Sequence, residues 1–304
     1  MTAAFQHIPV LLDAVVTGLQ PRAGGRYLDG TLGGAGHACA VLDAAGPDAT
    51  LVGIDRDPTA RAAATERLAR FGDRATVLAG TYDSMGTLAA GFGPFDGILL
   101  DIGVSSHQLD TAERGFSFRA DGPLDMRMNP DAGETAAQLI ERVDLDELTR
   151  ILREFGEEPR ARRIARAILD GRPWSHTLAF AEAVARASGY RNSRVHPATR
   201  TFQALRIAVN DELGQLQRGL DAAIDLLSPG GRLAVISFHS LEDRLVKQRF
   251  RTLAGVGTPR DAYGNPRIPP VLRLVTRKPI RGADHDPGNP RSRSASLRIA
   301  ERLG

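Results

Sequence analysis

The sequence predicts an α/β protein whose doubly wound, parallel sheet is interrupted by a helical subdomain. Three observations carry that reading. Short apolar strands alternate with helical stretches over the first hundred residues, the pattern of a parallel sheet covered on both faces. Period-2 patterning then disappears from about Thr135 to Ser188, and strand chemistry returns at Arg232 to Phe238.

The elements follow in order. Arg26 to Asp29 leads into a glycine loop, Ala38 to Ala45 reads as a helix, Thr50 to Asp55 as an apolar strand, and Pro58 to Phe71 as a helix. Ala75 to Leu78 and Asp96 to Asp101 supply the next two strands. In the interruption the helical segments are Ala136 to Val143, Leu145 to Phe155, Pro159 to Leu169 and Leu178 to Ala187, broken at Gly156, Gly171 and Gly189. A helix over Glu212 to Leu227 stops at Ser228-Pro229-Gly230-Gly231, a strong helix end. Two late strands, Val271 to Thr276 and Ser296 to Ala300, flank a Pro-, Gly- and Asp-rich loop that suits a wide hairpin. The expected division is a sheet domain from residues 1–110 and 200–304, with a helical insert at 111–199.

Composition excludes several classes. The 304 residues are 42% hydrophobic, too apolar for a disordered chain and too long for a disulfide miniprotein. Cys39 has no second cysteine to pair with, so a reducing, cytoplasmic setting is expected. No apolar run long enough to span a membrane and no secretory leader pattern occurs. Of the 39 cationic residues only Lys247 and Lys278 are lysine, an imbalance that coding bias explains. Their placement says more: residues 1–110 carry a net charge of −5, residues 111–206 +2 and residues 207–304 +6.

Doubly wound sheets bind ligands at the carboxyl ends of their strands. The first such end is Asp29-Gly30-Thr31-Leu32-Gly33-Gly34-Ala35-Gly36-His37, where glycines let backbone approach a ligand before a helix starts. It is not a strict G-x-G-x-x-G, and alone it is equally a tight strand-to-helix turn. Asp55 closes the second strand at the spacing where an acid accepts the hydroxyls of an adenosine ribose; by itself it could also cap the helix after Pro58. Tyr82 at the third strand end can lie against an adenine or pack on the surface. The fourth end, Asp101, delivers a carboxylate into a loop of small polar residues. Glycine loop and ribose acid together fit a nicotinamide dinucleotide or S-adenosyl-L-methionine. A pyrophosphate wants nearby cations. The acidic first segment, with Asp29 and Asp101, suits the ammonium and sulfonium of S-adenosyl-L-methionine better.

Several motifs in order along nearly the whole chain carry a resemblance. They are HIPVLL at His7 to Leu12, DGTLGGAGH at Asp29 to His37, GIDRDP at Gly53 to Pro58, DGILLDIGVSSHQLD at Asp96 to Asp110, RGFSF and DGPLDMRM between Arg114 and Met128, HPATRTFQALRIAVN at His196 to Asn210, GGRLAVISFHSLEDR at Gly230 to Arg244, and NPRSRSASLRIAER at Asn289 to Arg302. Together they resemble the ribosomal RNA small subunit methyltransferase H family. That resemblance implies a class I, Rossmann-like methyltransferase fold with an inserted helical domain. It also implies S-adenosyl-L-methionine as cofactor and transfer of a methyl group to the N4 amine of one cytidine in the decoding region of 16S rRNA, within small-subunit particles. It implies cofactor contacts by Gly33, Gly34, Ala35, Gly36, His37, Asp55, Tyr82, Asp101 and Gln108. Two positions depart from the family pattern. Ala35 stands where the family has Gly, which the backbone accepts only if φ stays negative there, and Tyr82 stands where Phe is usual.

Cytosine N4 is a poor nucleophile because its lone pair is delocalised, so positioning is the main task; good orientation can contribute roughly 7 to 11 kcal/mol. Asp101 is the candidate catalytic residue, holding the amine. Ser105, Ser106 and His239 are candidates for the base pocket. His196 opens a helix on which Arg200, Gln203 and Arg206 can face one way, and with the Arg-rich stretches at Arg150 to Arg206 and Arg267 to Arg302 they are expected to meet RNA. The His and Cys residues form no zinc-type cluster, and no metal is expected. Three other functions compete: a nicotinamide-dependent oxidoreductase, a non-catalytic RNA-binding assembly factor, and a DNA cytosine-N4 methyltransferase. The last would carry Pro-Pro-aromatic after the strand-four acid, where this chain has Asp101-Ile102-Gly103-Val104.

Overall fold

A computed structural model describes residues 9–189, 196–257, 259, 267 and 269–304. His7 and Ile8 of the opening motif, and part of the stretch from Arg150 to Arg206, lie outside them. The chain forms two compact units, one of residues 1–103 with 213–304 and one of residues 104–212. The helical unit therefore starts before the expected 111 and ends after the expected 199, because the helix after His196 buries Phe202, Ala204 and Leu205 in the helical core.

The first unit is built on one sheet. Its strands are β1 (Arg26–Asp29), β2 (Thr50–Asp55), β3 (Ala75–Ala79), β4 (Phe95–Asp101), β5 (Leu227–Ser237), β6 (Leu272–Leu274), β7 (Ile280–Arg281) and β8 (Ser296–Arg302). They lie in the order β3-β2-β1-β4-β5-β8-β6, with β7 also on β8. β1 to β5 are mutually parallel, whereas β8 runs antiparallel to β5, β6 and β7. The two late strands thus pair as the expected hairpin, and β8 also runs antiparallel to β5. β6 and β7 run the same way along β8 and residues 282–295 turn the chain back, whereas a parallel β8 would need a long crossover. β1 sits between β2 and β4, so the order reverses there and opens a crevice at the carboxyl ends of β1 and β4.

Alternation along the strands fills both faces. Leu51 and Leu99 pack with Val15 and Leu19 of α1 (Leu12–Leu19), Val41 and Leu42 of α2 (Gly36–Ala45) and Ala64 and Leu68 of α3 (Pro58–Leu68). Leu28, Val52, Ile54, Ile98 and Leu100 form the other face with Met85, which opens α4 (Met85–Leu88). Each such side chain removed from water stabilises by about 1.5–3 kcal/mol. Neither α1 nor a later helix at Ser240 was expected from pattern alone.

The helical unit holds α5 (Ser106–Asp110), α6 (Ala136–Arg142), α7 (Leu145–Glu154), α8 (Ala161–Asp170), α9 (Thr177–Ser188) and α10 (Thr199–Asn210). Thr135 and Asp144 cap α6 and α7 by accepting the N–H groups of Gln138 and Glu147. α8 buries Ala161, Ile164, Ala165 and Ile168, one helical face, and leaves Arg162, Arg163 and Arg166 exposed. It begins two residues later than the pattern suggests, since the buried Glu158 carboxylate accepts the Arg160 N–H and holds that segment as a turn.

Asn210, at the end of α10, ties the long loop between α5 and α6 to the helices. Its amide oxygen accepts the Met128 N–H at 2.8 Å, and its Nδ2 donates to the carbonyls of Met126 and Arg206 at 2.8 and 2.9 Å. Met126 is fully buried at φ +65°, a left-handed conformation a bulky residue keeps only when its surroundings impose it. After the helical unit the chain adds α11 (Glu212–Leu226), whose Leu216, Leu220 and Ile224 enter the sheet core, and α12 (Ser240–Leu253), which adds Val246 and Phe250. No helix among the described residues is long and apolar enough to cross a membrane. Replacing Asn210→Ala strands the buried Met128 N–H and Met126 carbonyl, and the helical unit is expected to lose on the order of 2 kcal/mol or more, read as a lower urea midpoint for α10 amide protection.

Candidate active site

Three strands of the first unit end in a carboxylate at the crevice: Asp29 on β1, Asp55 on β2 and Asp101 on β4. The loop after β1 connects them. Gly30 N–H donates to the Leu99 carbonyl at 2.9 Å and Leu32 N–H to the Ile54 carbonyl at 3.0 Å, so the loop continues the ladder on both sides. The Thr31 hydroxyl accepts the Asp101 N–H at 2.6 Å and lies 3.4 Å from Asp29 Oδ1, to which it donates.

Gly33 N–H donates to Asp55 Oδ2 at 2.8 Å, and Asp55 Oδ1 accepts the Asp57 N–H at the same distance. Asp55 therefore braces the glycine loop. The cap of α3 is Asp57, whose side chain accepts the Thr59 N–H, so Asp55 is not that helix's cap. Arg67 closes the loop from outside by donating to the Gly34 carbonyl. Gly36 is required by packing, because a Cβ there would sit 2.3 Å from Pro9 Cγ. Ala35 contradicts the expected negative φ: it takes φ +59° at the cap of α2, fully buried. The turn out of the strand needs a left-handed residue here, and burial of the methyl offsets part of the roughly 1–2 kcal/mol that such a conformation costs.

His37 is buried behind this loop. Its Nε2 lies 2.9 Å from the Val10 carbonyl, which only accepts, so Nε2 carries the proton; Nδ1 lies 3.7 Å from Asp101 Oδ2. Tyr82 opens a short turn after β3 with its ring buried against Gly219, where any Cβ would come within 2.4 Å of the ring.

Electrostatics set the character of the crevice. Burial pushes the Asp101 carboxyl up to about 8, with help from the neighbouring charges of Asp29 and Glu242. Burial likewise raises Asp29 to about 7 against the hydrogen bond from Thr31, and raises Asp55. Asp101 Oδ1 is buried with no hydrogen-bond partner among the described residues. An orphaned acceptor beside acids that resist ionising is a site lacking a cationic donor. An ammonium and a sulfonium fit it, and a pyrophosphate does not. Asp29 and Glu242 were not named as site residues in the sequence reading. Glu242 is nearly inaccessible, accepts the N–H groups of Phe238 and His239 with Oε2, and has Oε1 2.9 Å from His239 Nε2. Its signal is its place three residues after His239, where an acid commonly ties back the start of a helix. His239 is thereby held at the head of α12.

The other expected site residues belong to the helical unit. Ser105 and Gln108 form a reciprocal capping box on α5, each side chain accepting the other's backbone N–H. Ser106 is the first residue of that helix. His196 is exposed, with Nδ1 accepting the Ala198 N–H at 3.2 Å. Arg200 is exposed on the first turn of α10 and has no ion pair among the described residues. Arg206 corrects the expectation of a cationic face shared with Arg200: its guanidinium is held bidentate by Glu212 at 2.7 and 2.8 Å, both side chains largely buried. Gln203 likewise turns inward, donating to the Phe155 carbonyl.

A doubly wound sheet whose β1, β2 and β4 each end in an acid at a short glycine loop, with no cation supplied among the described residues, defines a class I S-adenosyl-L-methionine-dependent methyltransferase. Comparison of the sequence with known families agrees. The profile of the MraW methylase family matches residues 4–303, and the chain belongs to that family. Curated relatives named ribosomal RNA small subunit methyltransferase H are similar from end to end. That of Trichlorobacter lovleyi is 52% identical over 310 residues, 99% of each chain. That of Geobacter sulfurreducens is 53% identical over 312 residues, 98% of this chain and 99% of its own. The crystal structure of an rRNA methylase from Streptococcus thermophilus covers 96% of this chain and 94% of its own at 10% identity, with a TM-score of 0.41, too slight a likeness to bear on the assignment.

The raised carboxyls give a pH dependence whose sign follows from linkage. Without a bound cation Asp29 and Asp101 keep their protons to about 7 and about 8, and a cation favours the carboxylates. Binding of S-adenosyl-L-methionine near neutrality is therefore expected to release protons, and its affinity to rise as pH increases from about 6 to about 9. Titration calorimetry in buffers of different ionisation enthalpy measures both; an affinity flat across that range would contradict the assignment. By the same linkage the unliganded protein loses stability as pH rises from the ordinary carboxylate range towards 8, because the folded state holds protons that the unfolded chain has given up.

Proposed function

We propose that this protein methylates the exocyclic N4 amine of a single cytidine in the decoding region of 16S rRNA, cytidine 1402, acting on small-subunit particles in the cytoplasm. Family membership over residues 4–303 supports the reaction class, and the orphaned Asp101 Oδ1 at the end of β4 is the observation that supports the residue roles. When bound, S-adenosyl-L-methionine supplies a methyl group already activated by a positive sulfur.

The chain's own residues do the rest by positioning and electrostatics. Asp55 and Gly33 fix the loop where a ribose would rest, and Gly34, Ala35, Gly36 and His37 form the wall beside it. The Tyr82 ring offers a flat surface for an adenine, and Gln108 completes the set of proposed cofactor contacts. Asp101, once a neighbouring cation has brought it to the carboxylate, accepts a hydrogen bond from the substrate amine. This directs the amine's lone pair and gives the proton that must leave nitrogen an acceptor. Raising the Asp101 pKa makes it a better acceptor than an exposed aspartate. Ser105, Ser106 and His239 are the residues proposed around the base.

On the RNA side, His196 and Arg200 remain available, with Arg163 and Arg166 on the exposed face of α8. Arg206 is reassigned to holding the end of α10. Asp101→Asn is expected to lower methyl transfer from labelled S-adenosyl-L-methionine to small-subunit particles by at least about 100-fold while the fold persists. Near-normal turnover would remove Asp101 from the mechanism. Mapping the modified nucleotide in RNA from cells lacking the protein, before and after it is restored, tests the substrate assignment. Arg200→Ala is expected to weaken RNA binding and to reduce its salt slope by about one unit, with cofactor affinity unchanged; filter binding across a salt series reads both.

A further inference from the structure

A row of aromatic rings crosses the helical unit from its interior to its surface. Trp174 packs edge-on against Phe180, centroids 5.4 Å apart, and Phe180 lies 5.7 Å from Phe202. Phe202 meets Phe118 in a T-shaped contact at 4.7 Å, and Phe118 meets His196 at 4.6 Å with the ring planes 38° apart. The inner members are fixed: Phe180 is fully buried, Phe202 nearly so, and the Trp174 indole N–H donates to the Ile168 carbonyl. The outermost ring, His196, is exposed, and the hydrogen bond its Nδ1 accepts from Ala198 N–H fixes its rotation and leaves the proton on Nε2.

An exposed ring held in place by a second ring, itself wedged by a third, has lost its rotamer freedom before any ligand arrives. Such a ring serves as a stacking surface at little further entropic cost. Its charged neighbours select the ligand. Arg119 follows Phe118 directly and Arg200, four residues after His196, is on the first turn of α10; both are exposed, and neither has an ion pair among the described residues. A fixed flat surface with exposed guanidinium groups close by in sequence is complementary to an unpaired nucleobase and its phosphates.

We propose that His196, backed by Phe118, is a stacking site for one unpaired base of the RNA near the target cytidine in sequence, with Arg119 and Arg200 taking its phosphates. This rests on the reading of the substrate as RNA and adds where the strand is gripped. Single-stranded RNA oligonucleotides matching the 16S sequence around the cytidine provide the probe, intact or with one flanking base replaced by an abasic site. Affinity is read by fluorescence anisotropy with the full-length protein.

One abasic position is expected to weaken wild-type binding about tenfold. His196→Ala binds the intact RNA about tenfold less tightly and no longer distinguishes that abasic RNA, while His196→Tyr regains both the affinity and the distinction. Arg119→Gln and Arg200→Gln each lower the salt slope by about one unit and retain the base dependence. Wild-type binding that ignores every flanking base, or His196→Ala binding that still distinguishes the same position, overturns the proposal. The same preparations are assayed for methyl transfer to small-subunit particles. Base-dependent binding without transfer to the cytidine removes the reading of the reaction alone, and normal transfer with base-independent binding removes the stacking site alone.

Discussion

Asp29 and Asp101 are delivered side by side into a low-dielectric crevice by adjacent strands, and no guanidinium or ammonium among the described residues answers them. Each is poorly solvated and the Asp29 charge repels that of Asp101, so the unliganded protein holds protons on them up to neutrality and beyond the ordinary carboxylate range. The surrounding packing has to carry that unfavourable arrangement. Both strands are pinned by apolar layers on two faces, the Thr31 hydroxyl links the Asp29 side chain to the Asp101 backbone, and Glu242 adds a third acid whose own oxygens are taken up by backbone N–H groups and His239. A ligand bringing positive charge relieves the arrangement, so recognition and the relief of electrostatic strain are one event. An anionic dinucleotide would deepen it.

The helical unit works by a different principle. Its residues are local in sequence and its core is assembled from amphipathic helices capped by Thr135 and Asp144, so little of its stability depends on buried charge. The exceptions are placed where the backbone must be held in an unusual path. Asn210 clamps the loop containing Met126, and Arg206 with Glu212 fixes the corner at the end of α10, where Asp211 takes a left-handed conformation. Cations left over from this internal use are on the surface, among them Arg119, Arg163, Arg166 and Arg200. The charge imbalance between the segments therefore overstates how many cations are free: residues 111–206 contain Arg127 paired with Asp125, and Arg162 with Asp146, as well as Arg206.

The strands could be read directly because each is an apolar run ended by an acid or a turn, and Asp55 and Asp101 announce themselves by that position. The helices of the insert could be read from their periodicity. What escaped depends on information that a linear pattern does not contain. The φ of Ala35 is set by the angle between β1 and α2, so a missing glycine could not reveal that the turn remained left-handed. The partner of Arg206 lies just beyond the helix end, and only the turn at Asp211 brings it back. α1 lacks a capping side chain and starts after Leu11 at positive φ, its first N–H groups being met in part by Asp286 from the far end of the chain. Glu242 was passed over because its position reads as ordinary capping, and only burial shows that its charge bears on Asp101.

The position of β8 also bears on how the molecule comes into being. It is the final strand in sequence, yet it lies inside the sheet between β5 and β6, and Arg302 near its end donates to the carbonyls of Ile224, Asp225 and Leu227, where α11 gives way to β5. During synthesis β5 therefore has one edge unpaired until residues 296–302 can reach it. The helical unit ends at Glu212, ahead of both β5 and β8, and has every element it needs before then. The sheet closes after the helical unit in sequence order, so a chain that stops before Ser296 lacks the strand that covers β5 while it keeps the segment that carries the exposed arginines.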